Sequence, residues 1–364
     1  MVEASDDKIL DISFNQDQGC FAISTEKGFK IFNSYPFKDT FQRDFDGGIG
    51  IVAMLFRSNI LALVGGGVHP KYPPNKVILW DDHQMKCIGE LSFKTNVRAI
   101  RLRKERIVVA LETRVYVYQI SDLKLLDAID TFANPQGLCA LSSKDATILV
   151  TPDKKKGFIR IINYDTNSNI EAKAHESSLS ALIISQDGKL CATASDKGTL
   201  IRVFSTEDGK LRQELRRGAD KADIHSLAFD KSGQWLACTS DKGTVHIFSL
   251  SETFKAIYDK PIPEPSGSTS PGKAAKNPTS VFKFMKGMFS YFSSEWSFAQ
   301  FRIPDSRSMV AFGPEDKHCI IGIHTLLSLS LVVSYDGKYY LAEFDQEKGG
   351  DCHKITEKSL LKAD

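Results

Sequence analysis

Apolar residues in this chain fall into short runs of alternating pattern, and pairs of such runs are separated by tight polar turns. The clearest pair is Asp187-Gly-Lys-Leu-Cys-Ala-Thr-Ala-Ser-Asp-Lys-Gly-Thr199, continued by Val203-Phe-Ser205. A near copy, Lys231-Ser-Gly-Gln-Trp-Leu-Ala-Cys-Thr-Ser-Asp-Lys-Gly-Thr244, continues into Ile247-Phe-Ser249, and Ser195 and Ser240 lie 45 residues apart. Two apolar runs joined by an Asp-Lys-Gly turn read as a β-hairpin. Weaker copies run from Cys20 to Phe32 around Glu26-Lys-Gly28, from Ile60 to Trp80 with an insert, and from Ile107 to Tyr118. Ile148 to Ile162, and Leu331 to Phe344 around Tyr335-Asp-Gly337, complete a set of seven. Hairpins spaced by roughly 40 to 50 residues match propeller blades, and ring closure removes the exposed edges that a row of strands would carry. The pattern predicts an all-β chain, a single seven-bladed WD40-like β-propeller over 1–364, in preference to a two-domain β-sandwich.

The pattern breaks in three places. Between Lys260 and Pro278 lie five prolines with Ser, Gly and Lys, which predict a flexible loop inside the sixth blade. Val281-Phe-Lys-Phe-Met-Lys-Gly-Met-Phe-Ser-Tyr-Phe292 follows it. Wound as a helix, this segment puts Val281, Phe282, Phe284, Met285, Met288, Phe289, Tyr291 and Phe292 on one half and Lys283 and Lys286 on the other, the pattern of an interfacial helix. Residues 259–292 are therefore expected to form a long membrane-facing loop, with Phe282, Phe284, Met285, Met288, Phe289 and Phe292 entering the bilayer. A helix packed on the propeller is the competing reading. The apolar stretch His324 to Leu331 leaves the strand register of the last blade open, and residues 345–364 are expected to be a C-terminal tail.

Composition narrows the function. Forty-seven basic against 45 acidic residues give a net charge of +2, so the whole molecule supplies no field for a polyanion and any anion site is local. Seven scattered cysteines, with no Cys-x-x-Cys pair, suit reduced structural thiols. Met1 to Ile9 is acidic and lacks an apolar signal region, and a cytoplasmic location is expected. Lys154 to Lys156 and the run Arg98 to Arg106 lack the stacking aromatics of a nucleic-acid surface, and no nucleic-acid partner is expected. Gly65 to Gly67 leads into His69-Pro70 rather than a helix, so it is no phosphate loop. Nucleophile–base pairs, paired carboxylates and ligand clusters do not stand out either. The chain is expected to be no enzyme and to need no cofactor or metal.

The candidate chemistry lies between the two best repeats, at Leu215-Arg-Arg-Gly218. Neighbouring side chains of a strand point in opposite directions, so Arg216 and Arg217 can serve two separate pockets, each with a planar fork suited to phosphate. The flanking repeats add Ser195, Lys197, Thr199 and Arg202 on one side and Ser240, Lys242, Thr244 and His246 on the other. Arg202 and His246 align when counted back from Phe204 and Phe248 but not when counted forward from the serines, which predicts a β-bulge between Thr199 and Arg202. His175 and His225 each precede the next strand by a few residues.

With Asn33-Ser-Tyr-Pro-Phe37, Asp44-Phe-Asp-Gly-Gly-Ile-Gly50, Leu63-Val-Gly-Gly-Gly67, Lys71-Tyr-Pro-Pro-Asn75, Asp196-Lys-Gly-Thr199 and Asp241 to Phe248, these residues resemble the PROPPIN family of phosphoinositide-binding propellers, in particular its WIPI autophagy branch with Leu-Arg-Arg-Gly. The resemblance spans about Asp11 to Phe344. It implies two rim sites for phosphatidylinositol 3-phosphate and phosphatidylinositol 3,5-bisphosphate. The first would take Arg216 with His175, Ser177, Ser195, Lys197, Thr199 and Arg202. The second would take Arg217 with His225, Ser240, Lys242, Thr244 and His246. It also implies a peripheral adaptor of autophagosome formation on phagophore or preautophagosomal and endosomal or vacuolar/lysosomal membranes, recruiting an autophagy lipid-transfer protein through blades one to three. Asn15 and Asp17 are the candidate partner contacts, and a closed ring is expected to be a monomer. The rival reading is a protein-only WD40 scaffold.

Overall fold

A computed structural model describes residues 8–250, 276–278, 294–313 and 327–361. Their strands form seven sheets, each with four antiparallel strands, and the sheets of blades 5 and 6 each add a two-residue parallel strand at the outer edge, Glu295–Trp296 and Gly350–Asp351. Blade 1 holds Ile9–Phe14, Cys20–Thr25, Gly28–Asn33 and Lys38–Asp44, and blade 2 runs from Ile49–Met54 to Lys86–Ser92. Blade 3 runs from Ala99–Arg103 to Leu125–Asp130 and blade 4 from Ala140–Leu141 to Ser168–Lys173. Blade 5 comprises Leu179–Ile184, Leu190–Ser195, Leu200–Ser205 and Leu211–Arg216. Blade 6 comprises Ile224–Phe229, Trp235–Ser240, Thr244–Ser249 and Ala299–Arg302. Blade 7 comprises Ser308–Phe312, Leu327–Ser334, Lys338–Asp345 and His353–Ser359. The expected hairpins are the second and third strands of each blade.

Position in the blade explains the residues. Second strands such as Cys20–Thr25, Leu190–Ser195 and Trp235–Ser240 are buried along their whole length, because a neighbouring blade covers each face, and they are built from apolar and small residues. Outermost strands such as Lys38–Asp44 and His353–Ser359 are largely exposed and mostly polar. Between blades, apolar clusters remove side chains from water at about 1.5–3 kcal/mol for each large one fully buried. Leu190, Ala192, Ile201, Val203 and Leu215 of blade 5 pack with Leu236, Cys238 and Phe248 of blade 6.

Among the described residues the ring closes without a shared strand, since blade 1 is built from the first four strands and blade 7 from later ones. Side chains join them instead. Phe21 stacks on Phe32, Phe37 and Tyr339, and the Phe37 and Tyr339 rings meet at a tilt of 40° with centroids 4.6 Å apart. The Tyr339 hydroxyl donates to Ser34 O at 2.7 Å, and that of Tyr335 to Asp11 Oδ1 at 3.0 Å. Gln16 and Gln18, in the first turn, bond backbone of the inner strands: Gln16 to Met54 O and Leu102 O, Gln18 to Phe229 O and Phe312 N–H.

Two sequence expectations change. Residues 353–359, read as tail, are the outer strand of blade 7, paired with Lys338–Asp345; a polar outer strand carries no apolar alternation to betray it. The residues from Leu327 onward extend the hairpin of the last blade, with Leu327 paired to Asp345, which settles the register there. The expected membrane-inserting residues Phe282, Phe284, Met285, Met288, Phe289 and Phe292 lie outside the described residues.

Candidate functional site

Strand register decides which residues meet. In blade 5, Thr193 pairs with Arg202, Arg202 with Glu214, and Leu200 with Arg216, so all of these share one face with Ser195. That face also carries Cys191 and Phe204, which pack on Ile159, Ile161 and Ala174 of blade 4. The opposite face, with Leu215, looks at blade 6. Arg216 and Arg217 thus leave on opposite sides, one toward each inter-blade cleft, as their adjacency predicts. Arg216 is 5% and Arg217 6% exposed.

The blade 4–5 cleft gathers most of the first set. His175 Nε2 lies 3.0 Å from Thr193 Oγ1. Arg202 donates through Nη1 to Ala174 O at 2.7 Å and through Nε to Glu214 at 2.8 Å. The Ser177 hydroxyl donates to Asp196, beside exposed Lys197. Burial, then the Arg202 charge, pushes the His175 pKa down to about 4, so the ring is neutral at physiological pH. Arg216 borders this group from the strand end, where its Nε donates to Ser294 Oγ at 2.8 Å.

The blade 5–6 cleft gathers the second set. Cys238 pairs with His246, and by the two-residue period Ser240 and Thr244 share their face toward blade 5. Arg217 donates from Nε to Gly198 O at 2.9 Å and also to Asp220 O. Burial, then the Arg217 charge, pushes the His246 pKa down to about 4, and His246 Nδ1 sits 3.2 Å from Ser297 Oγ. Gly198 and Gly243 turn the hairpins with φ of +63° and +62°, a backbone that side chains disfavour; a Cβ on Gly198 would stand 1.8 Å from Ala222 O. Each cleft offers a guanidinium, hydroxyls and a neutral imidazole, donors suited to an anion with several oxygens.

A family profile described as PROPPIN matches residues 9–361. The chain belongs to the PROPPIN family. It is 34% identical over 359 residues to autophagy-related protein 18e of Arabidopsis thaliana, spanning 97% of this chain and 88% of the relative. It is also 34% identical over 361 residues to autophagy-related protein 18 of Dictyostelium discoideum, spanning 97% of this chain and 94% of the relative. Its fold is similar to that of Hsv2 from Kluyveromyces marxianus, with a TM-score of 0.72 at 25% identity over 97% of this chain and 99% of that one.

Three expectations for this PROPPIN are corrected by its geometry. No bulge lies between Thr199 and Arg202: Ile201 to Ser205 pair without interruption with Leu190 to Ala194, the extra residue sits in the turn before Leu200, and the register shift of this strand lies further on, between Val203 and Phe204 against the outer strand. His225 does not precede its strand but is the bulged residue within Ile224–Phe229, so it is not the counterpart of His175. Burial and the Arg307 charge lower its pKa against the opposing charges of Asp241, Asp223 and Asp305, and its buried Nδ1 has no hydrogen-bond partner among the described residues. Asn15 is 4% exposed and spends its amide on Phe56 O and Cys20 N–H, so it builds the turn, whereas Asp17 is exposed and accepts from Gly19 N–H. Sequence reasoning missed Thr193 and Glu214, although the period-two rule applied from Ser195 and Arg202 reaches both. Ser294 and Ser297 carried no signal, because they follow the long insert.

Proposed function

We propose that this chain reads phosphoinositide headgroups, phosphatidylinositol 3-phosphate and phosphatidylinositol 3,5-bisphosphate, in the two clefts beside blade 5. It acts there as a peripheral membrane adaptor in autophagosome formation, without catalysis. The observation that carries the reading is the placement of Arg216 and Arg217 on opposite faces of one strand end, each in a cleft with hydroxyls and a histidine. Membership of the PROPPIN family and the autophagy-related names of the relatives support it. The Arg202 charge is already met by Glu214, so a phosphate adds to an ion pair there rather than to a bare cation. The adaptor's membranes are those of the phagophore, preautophagosomal and endosomal or vacuolar/lysosomal compartments. Its protein partner is an autophagy lipid-transfer protein at blades 1 to 3, where Asp17 offers the exposed contact and Asn15 holds the turn.

Titration with soluble inositol 1,3-bisphosphate tests the twin-site reading. The wild type should take up two equivalents, and Arg216→Thr and Arg217→Thr should each take up one. Unchanged stoichiometry in both variants refutes it.

A further inference from the structure

The two clefts are built on equivalent rows of side chains that differ in charge. Counted back from Ser195 and Ser240, which open the two Asp-Lys-Gly turns, Thr193 and Cys238 hold the same place. Strand pairing carries each row outward, from Thr193 to Arg202 to Glu214 across blade 5 and from Cys238 to His246 to Gln300 across blade 6. Residues opposite one another share a face, so each row looks into one cleft. In the blade 5 row Arg202 Nε donates to Glu214 Oε2 at 2.8 Å, with the side chains 27% and 17% exposed, and Arg202 Nη1 donates to Ala174 O. The blade 6 row sets a neutral imidazole beside a neutral amide. Asp196 and Asp241 occupy the same turn position in the two blades and distinguish neither cleft. Glu214 has no acidic counterpart, because Gln300 stands there.

Without that carboxylate, Arg202 would add a second guanidinium charge to Arg216 in the blade 4–5 cleft, whereas the blade 6 row adds no charge to Arg217. With it, Arg202 and Glu214 form a pair that is nearly neutral when felt from a few ångströms away, and the pull on a further anion falls accordingly. The pull removed grows with the charge of the ligand, since Coulomb energy is proportional to it. We infer that Glu214 is a specificity-determining residue: by neutralising Arg202 it keeps the blade 4–5 cleft from favouring more heavily phosphorylated headgroups, so that both clefts accept one with a single phosphate on the ring besides the lipid linkage. The inference rests on the lipid reading above.

The test is calorimetry on the intact chain carrying Arg217→Thr, which leaves the blade 4–5 cleft to be read by itself. The probes are inositol 1,3-bisphosphate and inositol 1,3,5-trisphosphate, soluble forms of the two headgroups. Glu214→Gln keeps an acceptor for Arg202 Nε and removes only the charge. It should tighten the trisphosphate by about tenfold and the bisphosphate by about threefold, so that the ratio between them widens by about threefold. Glu214→Asp, which keeps the charge on a shorter side chain, should leave that ratio as it was. In the Arg216→Thr background, where the blade 5–6 cleft is read, Glu214→Gln should leave both affinities within about twofold. An unchanged ratio in Glu214→Gln overturns the inference and leaves the lipid reading standing. Weaker binding of both probes by that variant also overturns it, because the carboxylate would then merely hold Arg202 in place. A wild type that binds neither probe removes the lipid reading, and this inference with it.

Discussion

The two neutral histidines give the clefts a measurable signature in pH. Both rings titrate at about 4 in the folded protein, against about 6.5 in an unfolded chain. The folded state therefore binds fewer protons than the unfolded one between these values. Stability from keeping the rings neutral is present above pH 6.5 and lost as pH falls toward 4. Between about pH 7 and 5 the loss is roughly 2 kcal/mol for each ring, and roughly 4 kcal/mol for the pair. Asp11 opposes it: burial lifts its carboxyl to about 6, so its contribution is present below the ordinary 3.8 and disappears as pH rises through 6. A wild-type scan mixes these effects, and a difference between variants isolates the rings. In His175→Gln/His246→Asn, the Gln amide can reach Thr193 from the Nε2 position and the Asn amide can reach Ser297 from the Nδ1 position, with nothing to protonate. Urea denaturation at the two pH values should show the wild type losing roughly 4 kcal/mol more than the variant. Saturating inositol 1,3-bisphosphate should shrink that difference, since phosphate beside an imidazole favours its charged form. A variant that follows the wild type at both pH values refutes the assignment of buried neutral rings.

Other predictions concern the backbone and the ring. Gly198→Ala combines a left-handed φ with a Cβ 1.8 Å from Ala222 O, and should cost more than about 2 kcal/mol in a denaturation experiment and weaken headgroup binding beside Arg217. Gly218→Ala, at a position open for 4 Å around, should stay within about 0.5 kcal/mol of wild type. Tyr339→Phe leaves the buried Ser34 carbonyl without that donor and should cost about 1–3 kcal/mol, seen as a lower denaturation midpoint.

The hairpins were legible because second and third strands are covered by neighbouring blades and so repeat one apolar pattern. Outer strands escaped for the converse reason: His353–Ser359 is polar except for the lone Ile355 and shows no apolar alternation, and the two-residue strands Glu295–Trp296 and Gly350–Asp351 are too short to carry a pattern. Arg216 and Arg217 were legible through side-chain alternation. His225 was not, because a bulge shifts its register and no local residue announces it. The same shift recurs on the inner strands of blades 1, 2 and 5, between Ile9 and Asp11, Ile49 and Ile51, and Leu179 and Ala181, a regularity visible only in the pairing. Asn277 lies in a stretch with the composition of a loop, and its buried bonds come from Ser249 and Glu295, remote in sequence.

The central claim is tested most directly by sedimentation with vesicles containing phosphatidylinositol 3-phosphate, comparing the wild type with Arg216→Thr/Arg217→Thr after circular dichroism has established that both are folded. The wild type should pellet with the vesicles and the double variant should remain in the supernatant. Equal pelleting of the two, or pelleting of neither, contradicts the account and leaves the propeller as a protein scaffold.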